Sequence, residues 1–254
     1  MTRRPLALLT CFGLLLVGAS ASAAQPAPQG QGQPPGQPPT PAGEVRAGRE
    51  LFQVACSTCH GLEGEGTPRG PRLIGVGAAS ADFYLTSGRM PLDRPGVQAA
   101  RKEPAYSPRQ IRQLVAYVAS LGRGPAIPHV NPEEGDLVEG NDLYANNCAS
   151  CHSSAGSGGA LGQSVYAPRL AKATATQVAE AIRIGPGAMP HFGPDTINDE
   201  QLLSIVRYVK YLQKPENRGG LGLGHLGPLS EGFVAWIVGL GLLVVGLRWI
   251  GTRD

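Results

Sequence analysis

Cys56-Ser57-Thr58-Cys59-His60 and Cys148-Ala149-Ser150-Cys151-His152 set the same soft ligands at the same spacing twice in one chain. Two thiols spaced C-x-x-C and followed at once by His form the attachment pattern of covalently bound haem. Cys56 with Cys59, and Cys148 with Cys151, would bond the haem vinyl groups as thioethers, and the adjacent imidazole of His60 or His152 is carried to the iron. The pattern therefore predicts two haem c groups. A zinc ribbon also uses C-x-x-C pairs, closing one tetrahedral shell with four Cys. Its pairs usually stand about 15 to 20 residues apart, whereas these are far more distant and each brings its own His. The fifth Cys, Cys11, lies outside both motifs, so no disulfide framework is left over.

The elements that must position these groups also occur twice. GRELFQVACSTCH at 48–60 aligns without a gap with GNDLYANNCASCH at 140–152; PRL recurs at 71–73 and 168–170, and Met-Pro at 90–91 and 189–190. SPRQIRQLVAYVASLG at 107–122 answers NDEQLLSIVRYVKYLQ at 198–213. Ser107, Pro108 and Gln110 fit an N-cap, a proline at the first helical position and a capping-box glutamine; Asn198 and Gln201 fit the same scheme. Apolar residues at Ile111, Leu114, Val115 and Val118, and at Leu202, Ile205, Val206 and Val209, recur at helical spacing. Gly48 with Phe52, and Gly140 with Tyr144, stand one turn apart, which predicts a close helix crossing filled by the aromatic ring. Each repeat thus reads as helix, haem motif, Met loop and closing helix.

In that order of features, residues 44–122 and 136–214 resemble the class I cytochrome c fold, where an N-terminal and a C-terminal helix cross beside a haem. The resemblance implies that Met90 and Met189 are the second axial ligands. Apart from Met1 they are the only Met in the chain. It also implies that the carbonyls of Pro71 and Pro168 accept the second imidazole N–H of His60 and His152, fixing ring orientation. Arg72 and Arg169 either pair with haem propionates or are solvated. A thioether ligand raises the reduction potential and closes the sixth position, which argues for electron relay rather than oxygen or peroxide chemistry. His129, His191 and His225 read as loop or surface residues.

The remaining sequence frames these modules. In 254 residues, 36 Gly, 23 Pro and 6% aromatics point to small, loop-rich units. A net charge of +3 with no basic cluster gives no footprint for nucleic acid. Residues 1–24 read as an export signal, with Arg3 and Arg4 before an apolar run and small residues at its end; a retained anchor is the alternative. The Pro/Gln-rich stretch 25–43 reads as a flexible tether, 123–135 as a linker and 215–231 as a Gly-rich juxtamembrane segment. Residues 232–250 would make about 28 Å of helix, enough for one transmembrane helix in membrane lipid. Arg248 and Arg253 near its end put the C-terminus in the cytoplasm and the modules outside. Module charge is +3 over 44–122 and −4 over 131–217, a hint of different docking faces. The fold class is mainly α: two tandem class I cytochrome c domains and one C-terminal transmembrane helix.

Through ADFYLTSGRMPL at 81–92, RKEPAYSPRQI at 101–111 and GRGPAIPHVNPEEGDL at 122–137, the chain resembles a narrower family: the dihaem cytochrome c subunit of the actinobacterial cytochrome bc1 complex. The resemblance implies a cell-membrane partner set of a Rieske iron-sulfur subunit, a cytochrome b subunit and an aa3-type cytochrome c oxidase. It further implies an electron-transfer subunit of a quinol–cytochrome c reductase, a translocase whose quinol chemistry belongs to the partners. Two other classes carry similar modules: an acceptor subunit for a periplasmic dehydrogenase or cbb3-type oxidase, and a dihaem peroxidase, which needs one releasable distal position.

Overall fold

A computed structural model describes residues 42–93, 96, 98–162, 164–216 and 228–251. The stretch read as an export signal, Cys11, nearly all of the stretch read as a tether and most of the Gly-rich segment with His225 lie outside the described residues. The first module opens with α1 (Ala42–Ala55), whose first two residues belong to the stretch read as tether. A one-turn helix α2 (Ser57–His60) carries the first haem motif, followed by α3 (Gly77–Thr86) and α4 (Pro108–Ser120). After the linker, with a 3-10 turn at Pro132–Glu134, the second module repeats the plan with α5 (Leu137–Asn147), α6 (Ala149–His152), α7 (Ala175–Ile184) and α8 (Asp199–Gln213).

Opening and closing helices cross in each module, α1 on α4 and α5 on α8. Gly supplies the clearance: a Cβ on Gly48 would sit 1.9 Å from the Gln113 carbonyl oxygen. One turn on, Phe52 fills the crossing against Tyr117, with ring centroids 5.1 Å apart; Tyr144 meets Tyr208 in the same way at 5.4 Å. Phe52 and Tyr144 are each 1% exposed, and burial of a large side chain contributes roughly 1.5–3 kcal/mol. The apolar stripes of the closing helices complete the cores, with Ile111, Leu114 and Val118 in one and Leu202, Ile205 and Val206 in the other.

The predicted caps form. Ser107 accepts from Gln110 N and the Gln110 side chain accepts from Ser107 N; Asn198 and Gln201 do the same. A third capping box, Thr174 with Gln177, starts α7.

Three features go beyond the sequence reading. Helices α3 and α7 pack on the closing helices of their own modules and against each other, joining the modules through equivalent elements. Module two also has an antiparallel hairpin, β1 (Gly159–Gly162) with β2 (Val165–Ala167). The reason is chain length: 16 positions separate His152 from Pro168, against 11 between His60 and Pro71, and the surplus folds back on itself. Finally, the C-terminal helix starts earlier than the predicted 232–250. It runs as α9 (Pro228–Val234), a π-helical stretch (Ala235–Leu240) and α10 (Gly241–Gly251). Its 22 residues from Ser230 to Gly251 are long and apolar enough to cross a membrane, spanning about 33 Å at roughly 1.5 Å per residue. Trp236, Leu242, Leu247 and Trp249 are all exposed along it.

Candidate haem site

Each haem motif is wound by the helix that precedes it. Cys56 N donates to Phe52 O at 2.8 Å and His60 N to Cys56 O at 3.0 Å; Cys148 N donates to Tyr144 O at 2.8 Å and His152 N to Cys148 O at 2.9 Å. Helical winding brings residues three and four apart onto one face, so each first Cys shares a face with its second Cys and its His. The turn must then reverse sharply. Gly61 does so at φ 82°, and Ser153, a non-glycine in the left-handed region, at φ 62°. Ser153 is held there by Tyr144, whose hydroxyl donates to its carbonyl at 2.8 Å, and by a hydroxyl contact with Ser157 at 2.7 Å.

Both imidazoles are fixed from behind. His60 Nδ1 lies 2.8 Å from Pro71 O and His152 Nδ1 lies 3.0 Å from Pro168 O. A carbonyl accepts only, so Nδ1 carries the hydrogen and Nε2 keeps a free lone pair, the state a metal-bound imidazole needs. Burial lowers the His152 pKa, and the Pro168 hydrogen bond partly offsets that. Burial, then the neighbouring Cys of each pair, pushes the Cys56 and Cys148 thiols up to about 11.

One cavity of about 1020 Å³ runs through both modules, at the upper end of the range for a single small-molecule pocket. His60, Met90, His152 and Met189 all line it, as do Cys56, Cys148 and Cys151, with Pro71 and Pro168 behind the imidazoles. Cys59 does not; it lies exposed at the side of its turn. Met90 and Met189 pack against the core of their own modules. Arg72 and Arg169 line the cavity and are exposed. His129 and His191 are exposed.

The walls fit haem c. Each module offers thiols for covalent attachment, an oriented imidazole, a soft thioether and an apolar lining that includes Leu73, Leu114, Ile182 and Ile205. The residues do not fit a zinc ribbon: among the described residues, no three His, Cys, Asp or Glu side chains converge on one point.

The sequence reading missed the groups at the module junction. Gln98 grips the backbone of Tyr166, donating to its carbonyl at 2.7 Å and accepting from its N–H at 3.2 Å. Arg101 donates to Gln177 at 2.8 Å, and Gln177 donates to Thr86 at 3.1 Å. Glu180 of α7 is fully buried with no donor at either oxygen. Its polar neighbour is Asp82 of α3; two carboxyls have no donor between them until one holds a proton. The available signal was a charged residue in the apolar stripe Val178, Ala179, Ile182.

Paired helical modules that present C-x-x-C-H turns and Met loops to an apolar cavity define a c-type cytochrome with tandem domains. Residues 45–122 match the family model described as cytochrome c, and residues 135–209 match that of cytochrome c oxidase, cbb3-type, subunit III. The cytochrome bc1 complex cytochrome c subunit of Corynebacterium diphtheriae is 39% identical over 228 residues, 83% of this chain and 81% of that protein. Its counterpart in Mycobacterium tuberculosis is 41% identical over 221 residues, covering 83% and 78%. The cbb3-type cytochrome c oxidase subunit FixP of Sinorhizobium medicae is 31% identical over 140 residues, covering 51% and 45%. The chain belongs to the family of cytochrome bc1 complex cytochrome c subunits.

Proposed function

We propose that the chain is the dihaem electron-transfer subunit of a bc1-type quinol–cytochrome c reductase, taking electrons from a Rieske iron-sulfur subunit and passing them to the copper centre of an aa3-type oxidase. The observation that carries this reading is the single cavity holding both histidines and both methionines in a chain 39–41% identical to bc1 complex cytochrome c subunits. In it, Cys56 and Cys59 hold one haem c and Cys148 and Cys151 a second. His60 with Met90, and His152 with Met189, would be the iron ligands of the two groups.

When bound, haem supplies one-electron chemistry at iron, and the residues of the chain set its terms. Pro71 and Pro168 lock the imidazoles; Met90 and Met189 close the sixth positions and favour the reduced state. With a His and a Met from each module both held to iron, no position would be left for peroxide or oxygen, which favours relay over a peroxidase role. The α3–α7 contact keeps the modules together, so the internal electron step needs no diffusing partner. The helix Ser230–Gly251 holds the chain in the cell membrane, with the modules on the extracytoplasmic face and the C-terminus in the cytoplasm. As part of a translocase the chain moves electrons only; quinol oxidation and proton release belong to the cytochrome b and Rieske subunits.

Purification from native membranes tests the reading. A Rieske protein and cytochrome b should accompany the chain, with two haems c per chain by pyridine haemochromogen assay. Isolation with cbb3 oxidase subunits instead would replace it with the acceptor-subunit reading, which the match over residues 135–209 favours.

A further inference from the structure

Arg89 stands in the cavity wall immediately before Met90. Its guanidinium lies over the Phe83 ring, 4.8 Å from the centroid, and its Nη1 is sealed from solvent with no hydrogen-bond acceptor. Arg101 lines the same cavity, held across the junction by its 2.8 Å bond to Gln177 Oε1. Burial disfavours the charge on both, and Arg101 disfavours that on Arg89 further. The ion pairs of the described residues are Arg49–Glu63, Lys102–Asp93 and Arg183–Asp199, and none uses Arg89 or Arg101.

An arginine does not shed its proton in a protein, so Arg89, half-buried in a mostly apolar cavity with Nη1 unpartnered, calls for an anion there; Arg101 reaches the same cavity from an exposed position, where the charge of Glu103 favours its own. Lys102, the next residue, cannot explain them, because its ammonium is already taken by Asp93 at 2.6 Å and by Pro91 O at 2.8 Å. The planar guanidinium fork matches carboxylates in particular. The cavity that the cations face is the one whose walls fit haem c, and haem brings its own carboxylates.

We propose that Arg89 and Arg101 form a carboxylate clamp at the module junction that holds haem propionates and raises the reduction potential of the haem it holds. The inference rests on the haem reading above. A fixed positive charge beside the macrocycle disfavours the more positive ferric state, so both cations act in the same direction as the Met ligands. The clamp also spans the modules, since Arg89 borders Tyr166 and Arg101 is tied to Gln177.

The test is an optical redox titration of the full chain in native complex or detergent, for wild type, Arg89→Gln, Arg101→Gln and Arg89→Lys, with haem content measured on each. At the wild-type midpoint potential, each Gln variant should show a ferrous-to-ferric ratio about tenfold lower at one haem, a shift of about 59 mV for a one-electron couple. Arg89→Lys, which keeps the charge, should stay within about threefold of wild type. Where Arg89→Gln loses haem, Arg101→Gln carries the measurement, because it leaves the Met90 loop untouched. Unchanged ratios in the haem-replete Gln variants would overturn the clamp while leaving the haem reading intact. Wild-type protein without covalent haem would sink that reading and the clamp with it.

Discussion

Gly140 lies so close to Ser204 that a Cβ added to it would stand 2.0 Å from the Ser204 carbonyl oxygen, and Gly48 has the same relation to Gln113. Neither obstacle is a flexible side-chain end; both are backbone of the closing helix. Gly140→Ala or Gly48→Ala must therefore push whole helices apart, at a cost of about 1–3 kcal/mol or more. Thermal unfolding should show the loss. Haem content should fall most in the altered module, because its attachment turn hangs directly from the opening helix.

The repeat made much of this legible. Gly48, Phe52, Gly140 and Tyr144 carry the crossing at fixed spacing, and Ser107 and Asn198 mark where the closing helices start. Helices α3 and α7 were harder to see: Gly77–Thr86 and Ala175–Ile184 are rich in small residues, and their partner is an equivalent helix far away in sequence. The hairpin hides in GALGQSVYA, where Gly interrupts any alternation. Arg89 looks like an ordinary surface charge in the sequence, and Glu180 shows only as a charge set among Val178, Ala179 and Ile182. Their meaning comes from the junction, which no local pattern encodes.

Met90→Ala and Met189→Ala should each open one sixth position without unseating the covalently held haem. The expected result is one high-spin, cyanide-binding haem per chain beside one unchanged low-spin haem, with a lower potential at the altered site. Absorption spectra with and without cyanide read this out. Two altered haems from one substitution would contradict the assignment of one Met to each module.

Deleting residues 228–254 should release the chain from the membrane and leave its haem spectrum intact, because the apolar stretch of that helix is not buried against the rest of the protein. Fractionation followed by spectra checks both halves. A truncated chain that stays in the membrane would indicate that the N-terminal apolar segment is retained as a second anchor.

Glu180 gives the prediction with the clearest pH signature. Burial first, then the charge and hydrogen bond of Asp82, push its carboxyl from an ordinary 4.5 up to about 10. Burial also raises Asp82, while its contact with Glu180 pulls it down, so Asp82 holds the negative charge of the pair and Glu180 the proton. Folded protein then keeps a proton that the unfolded chain releases near pH 4.5. Stability contributed by this group falls as pH rises from about 4.5 toward 10, because the folded state binds more protons throughout that window. Glu180→Gln removes the titration and lets a neutral amide donate to Asp82. The variant should match wild type near pH 4.5 and exceed it increasingly above that, by on the order of 5 kcal/mol at pH 8, at about 1.36 kcal/mol per pH unit. Denaturant midpoints measured at both pH values decide it, and a constant difference between the proteins would show that Glu180 is ionised in the folded state.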